Sequence, residues 1–186
     1  MAFAFLNRWF SPPHAPGINP TDELSGPKDA DAQFSLAQRF GAGSHVDHAQ
    51  ALLWYRKAAE QGHCAAQFHL ALMYAQGKGV ARDETAALLW LRRAAEAGHG
   101  GAQYHLGVRL YRASKYKIGS EASELRIASL NWLQRAVAQS CSGAESAREF
   151  VLLGMTRPEV MEGERRAQSP AASPGESAAS TVLDFP

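Results

Sequence analysis

One short phrase is written three times in this chain. Ala32-Gln33-Phe34 returns as Ala66-Gln67-Phe68 and again as Ala102-Gln103-Tyr104. Downstream of each comes a tryptophan-centred run: Leu52-Leu53-Trp54-Tyr55, Leu88-Leu89-Trp90-Leu91 and Leu130-Asn131-Trp132-Leu133. A unit of roughly 36 residues is too short to bury its own apolar face, so copies must stack on one another. The repeat therefore predicts an all-α fold, a right-handed α-solenoid of antiparallel helix pairs. It names a binding architecture without naming a partner.

The second copy is the clearest. Gln67, Leu70, Ala71 and Tyr74 fall at i, i+3, i+4 and i+7, so they share one helix face. Gly77-Lys78-Gly79-Val80 then breaks the helix, and Gly77 suits the left-handed position that a β-carbon disfavours. Asp83 is placed to cap the next helix, whose buried stripe is Ala87, Trp90, Leu91, Ala94 and Ala95. Gly98 ends it. The alanines have a physical reason: small side chains let paired helices approach closely.

The first copy keeps this plan with Leu36, Ala37, Phe40, Ala51, Trp54, Ala58, Ala59 and Gly62, and Asp47 takes the cap position. Its loop is shorter, with Phe40 to Asp47 against Tyr74 to Asp83. The third keeps Leu106, Gly107, Leu110, Trp132 and Ala136, but six extra residues separate Leu110 from Leu125, and Leu125 replaces the capping Asp. A longer loop is expected there, with Ser120 or Ser123 as cap. Ala144 to Leu153 reads as one more first-type helix. The expectation is seven helices over 30–154, an N-terminal segment and linker over 1–29, and an unstructured tail over 155–186.

The rest of the chain sets bounds. Net charge is +1 in 186 residues, which gives no global field for nucleic acid or anionic lipid. The two cysteines, Cys64 and Cys141, form no CxxC motif, so a reduced, cytoplasmic protein is expected. No run approaches the roughly 20 apolar residues of a membrane span. Phe3, Leu6 and Phe10 make a short apolar segment without the basic start of a signal peptide. Val182 to Phe185 is a small apolar patch in an otherwise Ser-, Ala- and Pro-rich tail. A monomer is expected.

Taken together, Ala66, Leu70-Ala71, Tyr74, Gly77-x-Gly79-Val80-x-x-Asp83, Ala87-Leu88-x-Trp90-Leu91, Ala94-Ala95 and Gly98 resemble the Sel1-like repeat, a relative of the tetratricopeptide repeat. The resemblance covers about 125 residues and is strongest in the second copy. It implies adaptor and scaffold work, in which the solenoid assembles other proteins. Some secreted relatives with regular cysteine pairs are linked to penicillin binding, which makes a repeat-built hydrolase of the penicillin-binding or β-lactamase-like kind the alternative. Two isolated cysteines depart from that pattern.

Other constellations have simpler explanations. His63 and His99 recur at one repeat position, and so do His69 and His105. Equivalent residues in stacked helices lie about 10 Å apart, whereas zinc ligands lie about 2.0–2.3 Å from one ion. His63 and His99 are therefore expected in the inter-repeat turns, with no metal. Gly77-x-Gly79 lacks the strand and Lys-Ser/Thr of a phosphate loop. Ser114-x-x-Lys117 matches a penicillin-recognition triplet, but the companion Ser-Asp-Asn and Lys-Thr-Gly are missing. Trp54, Trp90 and Trp132 read as core, and Glu60 and Glu96 as surface partners of Arg56 and Arg92. No catalytic residue, cofactor or metal is assigned.

If Gln67, Leu70, Ala71 and Tyr74 face inward, then His69, Leu72 and Gln76 face outward. Their counterparts are His105, Val108 and Arg112 in the third repeat and Gln38 in the first. With Phe150 these would form a shallow, mildly basic groove on the concave face. That groove suits an extended or helical peptide, or a protein partner.

Overall fold

The computed structural model describes residues 27–42 and 46–168. The apolar N-terminal segment and Val182 to Phe185 lie outside the described residues. Among the described residues there are eight helices and no strand. They are α1 (Ala30–Gly41), α2 (His48–Glu60), α3 (Cys64–Gln76), α4 (Glu84–Glu96), α5 (Gly100–Ser114), α6 (Ser120–Ala138), α7 (Ala144–Leu153) and α8 (Arg157–Gln168). Helices pair as α1/α2, α3/α4 and α5/α6, and each second helix also packs on the first helix that follows. The chain is thus an all-α solenoid. From α1 to α7 the order in space follows the order in sequence.

The pairing rests on small residues. Ala58, Ala94 and Ala136 hold one position in three repeats and are fully buried. At Gly107 a β-carbon would stand 2.7 Å from Leu133 Cγ, so α5 and α6 meet with no room for a methyl group. Ser129 Oγ closes the same contact by donating to the Gly107 carbonyl at 2.7 Å. Trp54, Trp90 and Trp132 are buried. Each carries a cation three residues on over its ring, at 4.5 Å (Lys57), 4.7 Å (Arg93) and 5.2 Å (Arg135) from the centroid. Rings placed so are core, closed to stacking partners from solution.

The joints between repeats are built from the repeated phrase itself. Gln67 Nε2 donates to the Ala59 carbonyl and Gln103 Nε2 to the Ala95 carbonyl, both at 3.1 Å. Gln33 does the same to Pro27 at 2.8 Å. Helix ends leave carbonyls without intrahelical donors, and Gln67 and Gln103 supply one. His63 and His99 begin α3 and α5 as caps. Their Nδ1 atoms accept from the N–H of Ala66 at 3.0 Å and of Ala102 at 3.1 Å. The two loops of unequal length close with one bond each: Asp47 N–H to Phe40 at 2.9 Å and Asp83 N–H to Tyr74 at 3.0 Å. Asp47 and Asp83 then cap α2 and α4 as expected.

Two expectations fail at the C-terminal end. The six extra residues of the third repeat do not make a longer loop. They lengthen α5 and add turns to the start of α6, so Leu125 lies inside that helix and is buried. Gly119 stands at the cap with no side-chain bond, and neither Ser120 nor Ser123 takes that role. The second failure is linked to the first. Residues 157–168, read as unstructured tail, form α8, which packs against the lengthened α6 rather than pairing with α7. Arg166 bridges to Glu124, and Arg126 pairs with Glu159. At Gly163 a β-carbon would sit 3.0 Å from Leu130, which is how this polar helix comes close. Thr156-Arg157-Pro158-Glu159 has the spacing of a capping box, and Glu159 makes its half by accepting from the Thr156 N–H at 2.7 Å. Burial pushes the Glu159 carboxyl up, but Arg126, Ser123 and Thr156 together hold it down at about 2. A further small correction concerns Arg56, which donates to the Tyr74 hydroxyl at 2.7 Å.

Two joints depart from the pattern and should be repairable. Gln61 and Gln139 donate to Gln33 and Gln103, both at 2.8 Å. Ala97 holds the corresponding place in the middle repeat, and Gln67 Oε1 is left buried without a partner. Ser140 takes positive φ (55°) where Gly62 and Gly98 stand in the other repeats. Ala97→Gln and Ser140→Gly are each expected to stabilise the chain by about 1 kcal/mol in urea unfolding. Glu159→Ala should cost about 2 kcal/mol, since it removes charged hydrogen bonds from a buried carboxylate. An unchanged melt for that variant would show that α8 contributes nothing to the fold.

Candidate functional site

The seams between repeats carry a run of aromatic and imidazole rings. Phe34 of α1 stacks on His63 at 4.4 Å between centroids, and Phe68 of α3 stacks on His99 at 4.5 Å. In each case one repeat's aromatic covers the next repeat's capping histidine. Tyr55 of α2 lies flat against His69 at 5.0 Å with 9° between planes. His105 continues the run beside Phe68 (5.7 Å) and Tyr104 (5.3 Å). His63 Nε2 also reaches Asp31 at 3.2 Å. The rings bind one another side by side and do not converge. Among the described residues no three His, Cys, Asp or Glu side chains are placed to hold a metal ion.

Beside Tyr55 and His69 the surface opens into a cleft of about 240 Å³. Its floor is apolar: Ala51, Leu72, Met73 and the Tyr55 ring. Its rim holds His48, Gln76 and Lys78, with no carboxylate. Three of the sequence-predicted residues, His69, Leu72 and Gln76, come together here. Gln38, His105 and Arg112 are exposed on α1 and α5 but do not line this cleft. Val108 is half-buried and packs against Leu130, Leu133 and Val151. Its expected exposure is corrected, because α7 covers that side of α5. Phe150 is 58% exposed, as expected, and meets Tyr111 edge-on at 5.6 Å.

Tyr55, His48 and Lys78 belong to the cleft and were not anticipated. A signal for Tyr55 existed. Its counterparts are Leu91 and Leu133, and a phenol at an otherwise aliphatic core position announces a polar neighbour. The loop supplies the others. Gly79 lies directly against the His48 carbonyl, so the second repeat's turn folds back onto the start of α2 and brings Lys78 to the rim. The Ser114-x-x-Lys117 triplet has no catalytic geometry. Ser114 is buried in the last turn of α5, with Oγ donating to the Tyr111 carbonyl at 2.7 Å, and Lys117 pairs with Glu121 at 2.9 Å.

Repeat boundaries drawn on this geometry coincide with three matches to the family model described as Sel1 repeat, at residues 30–63, 64–99 and 101–141. The chain belongs to the Sel1 repeat family. Members of this family are generally protein-interaction scaffolds and typically non-catalytic. Two solved structures resemble the Sel1 array described above. One is a protective antigen of uropathogenic Escherichia coli strains displaying an SLR fold. It is 32% identical with a TM-score of 0.61, over 74% of this chain and 28% of that one. This chain therefore spans little more than a quarter of that antigen. The other is a Sel1 repeat protein from Oxalobacter formigenes, 38% identical with a TM-score of 0.52, over 66% of this chain and 89% of that one. No curated protein matches. Among the described residues of this Sel1 chain, no helix is long and apolar enough to cross a membrane.

The ring run makes the Sel1 joints sensitive to acid. Burial lowers the His69 pKa below 6.5. Burial lowers His99 too, with His69 and His63 adding to it. Bases depressed in the folded state are protonated first in the unfolded one. Their contribution is complete above pH 6.5 and is lost as pH falls through the folded values. Protonation at His99 Nδ1 also ends its role as an acceptor cap. The melting temperature should therefore fall between about pH 7.5 and about pH 5. His99→Asn, which keeps a cap, should flatten that slope in a calorimetric series.

Proposed function

We propose that this Sel1 chain is a non-enzymatic adaptor that docks a peptide or protein segment on the concave face formed by α1, α3 and α5. The observation that carries the reading is the cleft at Tyr55, His69 and Leu72. Its 240 Å³ is below the roughly 300–1,000 Å³ of small-molecule sites and suits one or two side chains of a longer ligand. Gln38, His105 and Arg112 extend the exposed polar surface along α1 and α5, so a segment anchored in the cleft would meet further hydrogen-bonding groups. Aromatic and imidazole rings give large contact area at low entropic cost. Both thiols are free, which suits a reducing compartment such as the cytoplasm. The hydrolase alternative finds no support in Ser114, which is buried and bonded within its own helix.

Peptides selected from a random display library on the full chain test this reading. They are expected to bind wild type and to lose about tenfold or more in affinity on Leu72→Glu, which puts a charge on the apolar floor. Circular dichroism should show the variant folded. Selected peptides that bind both proteins equally would move docking away from the cleft.

A further inference from the structure

Acidic side chains are distributed unequally among the helices around the cleft. Helices α3 and α5 contain no Asp or Glu, and α1 contains only Asp31, which already meets His63. The same three helices carry Arg39, His69, His105 and Arg112, and also Arg109, which is paired with Glu84 of α4. Carboxylates gather away from these three helices, on α2, α4, α6, α7 and α8, as Glu60, Glu84, Glu96, Glu124, Glu145, Glu149 and Glu159 show. In a chain of net charge +1 these three helices are thus poor in acids, and the cleft beside them holds His48 and Lys78 at its rim and no carboxylate. An occupant should combine carboxylates with apolar side chains and lack Lys and Arg.

One segment of this chain has that composition. Residues 169–186 contain Glu176 and Asp184, no Lys or Arg, and one apolar cluster, Val182-Leu183-Asp184-Phe185. The N-terminal run around Phe3 and Phe10 carries Arg8 and no acid, so it is the poorer match. In an extended peptide alternate side chains share a face. Leu183 and Phe185 can then meet the Leu72–Met73 floor together while Asp184 faces the Lys78 rim. Reach is sufficient. The segment follows α8 on the third repeat, two repeats from the cleft, about 20–30 Å at one helix diameter per layer. Fourteen residues lead from Gln168 to Val182, and at about 3.3 Å each they cover that distance.

We infer that the segment 169–186 occupies the cleft of its own chain, Leu183 and Phe185 in the apolar floor and Asp184 at the basic rim, so that any partner must displace it. This rests on the cleft being a peptide site. The test uses a fluorescein-labelled peptide of residues 169–186 and the full chain in two forms, wild type and Leu183→Ser/Phe185→Ser. The doubly substituted chain should bind the peptide saturably by anisotropy, more weakly as salt rises. Wild type should bind it about fivefold or more weakly, because a tethered segment competes at high effective concentration. Adding Leu72→Glu to the substituted chain should abolish binding.

Three results would overturn the inference: no binding to the substituted chain, equal binding to both forms, or binding that survives Leu72→Glu. A peptide of residues 1–18 competing better than 169–186 would give the cleft to the other end of the chain. Concentration-dependent association of wild type in sedimentation, lost in the substituted form, would give it to a second copy's segment and so overturn occupancy within one chain. The display-selected peptides separate the two levels. If they bind through Leu72 while 169–186 does not, the cleft remains a peptide site and only its internal occupant is wrong. If neither binds, both readings fall.

Discussion

A glutamine donating to the last carbonyls of the preceding helix is the constraint on which this fold depends. Gln67 and Gln103 are buried and bonded to Ala59 and Ala95, and each follows a fully buried alanine, Ala66 or Ala102. The bond fixes the height of each first helix against the helix before it. Once that height is set, the capping histidine of the next helix falls under the preceding aromatic, Phe34 on His63 and Phe68 on His99. Polar satisfaction and ring stacking thus specify one register, which apolar packing between smooth alanine faces would leave loose. Where the pattern lapses, at Ala97 and Ser140, the cost is a buried amide oxygen without a partner and a non-glycine residue at positive φ.

The array itself was legible in the sequence because it depends on recurring positions. Asp47 and Asp83 were readable as caps, Gly77 as a left-handed turn and the tryptophans as core. The third repeat was less legible. Its insertion lies between polar residues, and periodicity alone does not separate a long loop from a helix extended at both ends. Helix α8 escaped for a related reason. Its docking relies on Glu159, Arg166 and a missing β-carbon at Gly163 rather than on an apolar stripe. The Thr156-x-x-Glu159 capping box was the available signal. The cleft was half legible: His69, Leu72 and Gln76 follow from helical phase, whereas His48 and Lys78 arrive through a loop folding back, which no helical wheel contains.

The two helix types divide the work. Within the three pairs, second helices carry the tryptophans, the cations that cover them and every carboxylate but Asp31. First helices carry the glutamines and most of the ring run. Stability is therefore concentrated between the layers, while α3 and α5 hold no acid that would repel an acidic ligand. Neither property is visible in a net charge of +1.

Helix α8 fixes an order of events. Its bridge from Arg166 to Glu124 spans 42 residues, beyond the 36 of the Gln139–Gln103 bond and the 28 of Gln61–Gln33. Every other joint can close as soon as the next repeat leaves the ribosome, so the solenoid can assemble in step with its synthesis. Helix α8 cannot dock until α6 stands complete. Among the described helices it is the last to be laid down, and it docks on a helix that is already complete.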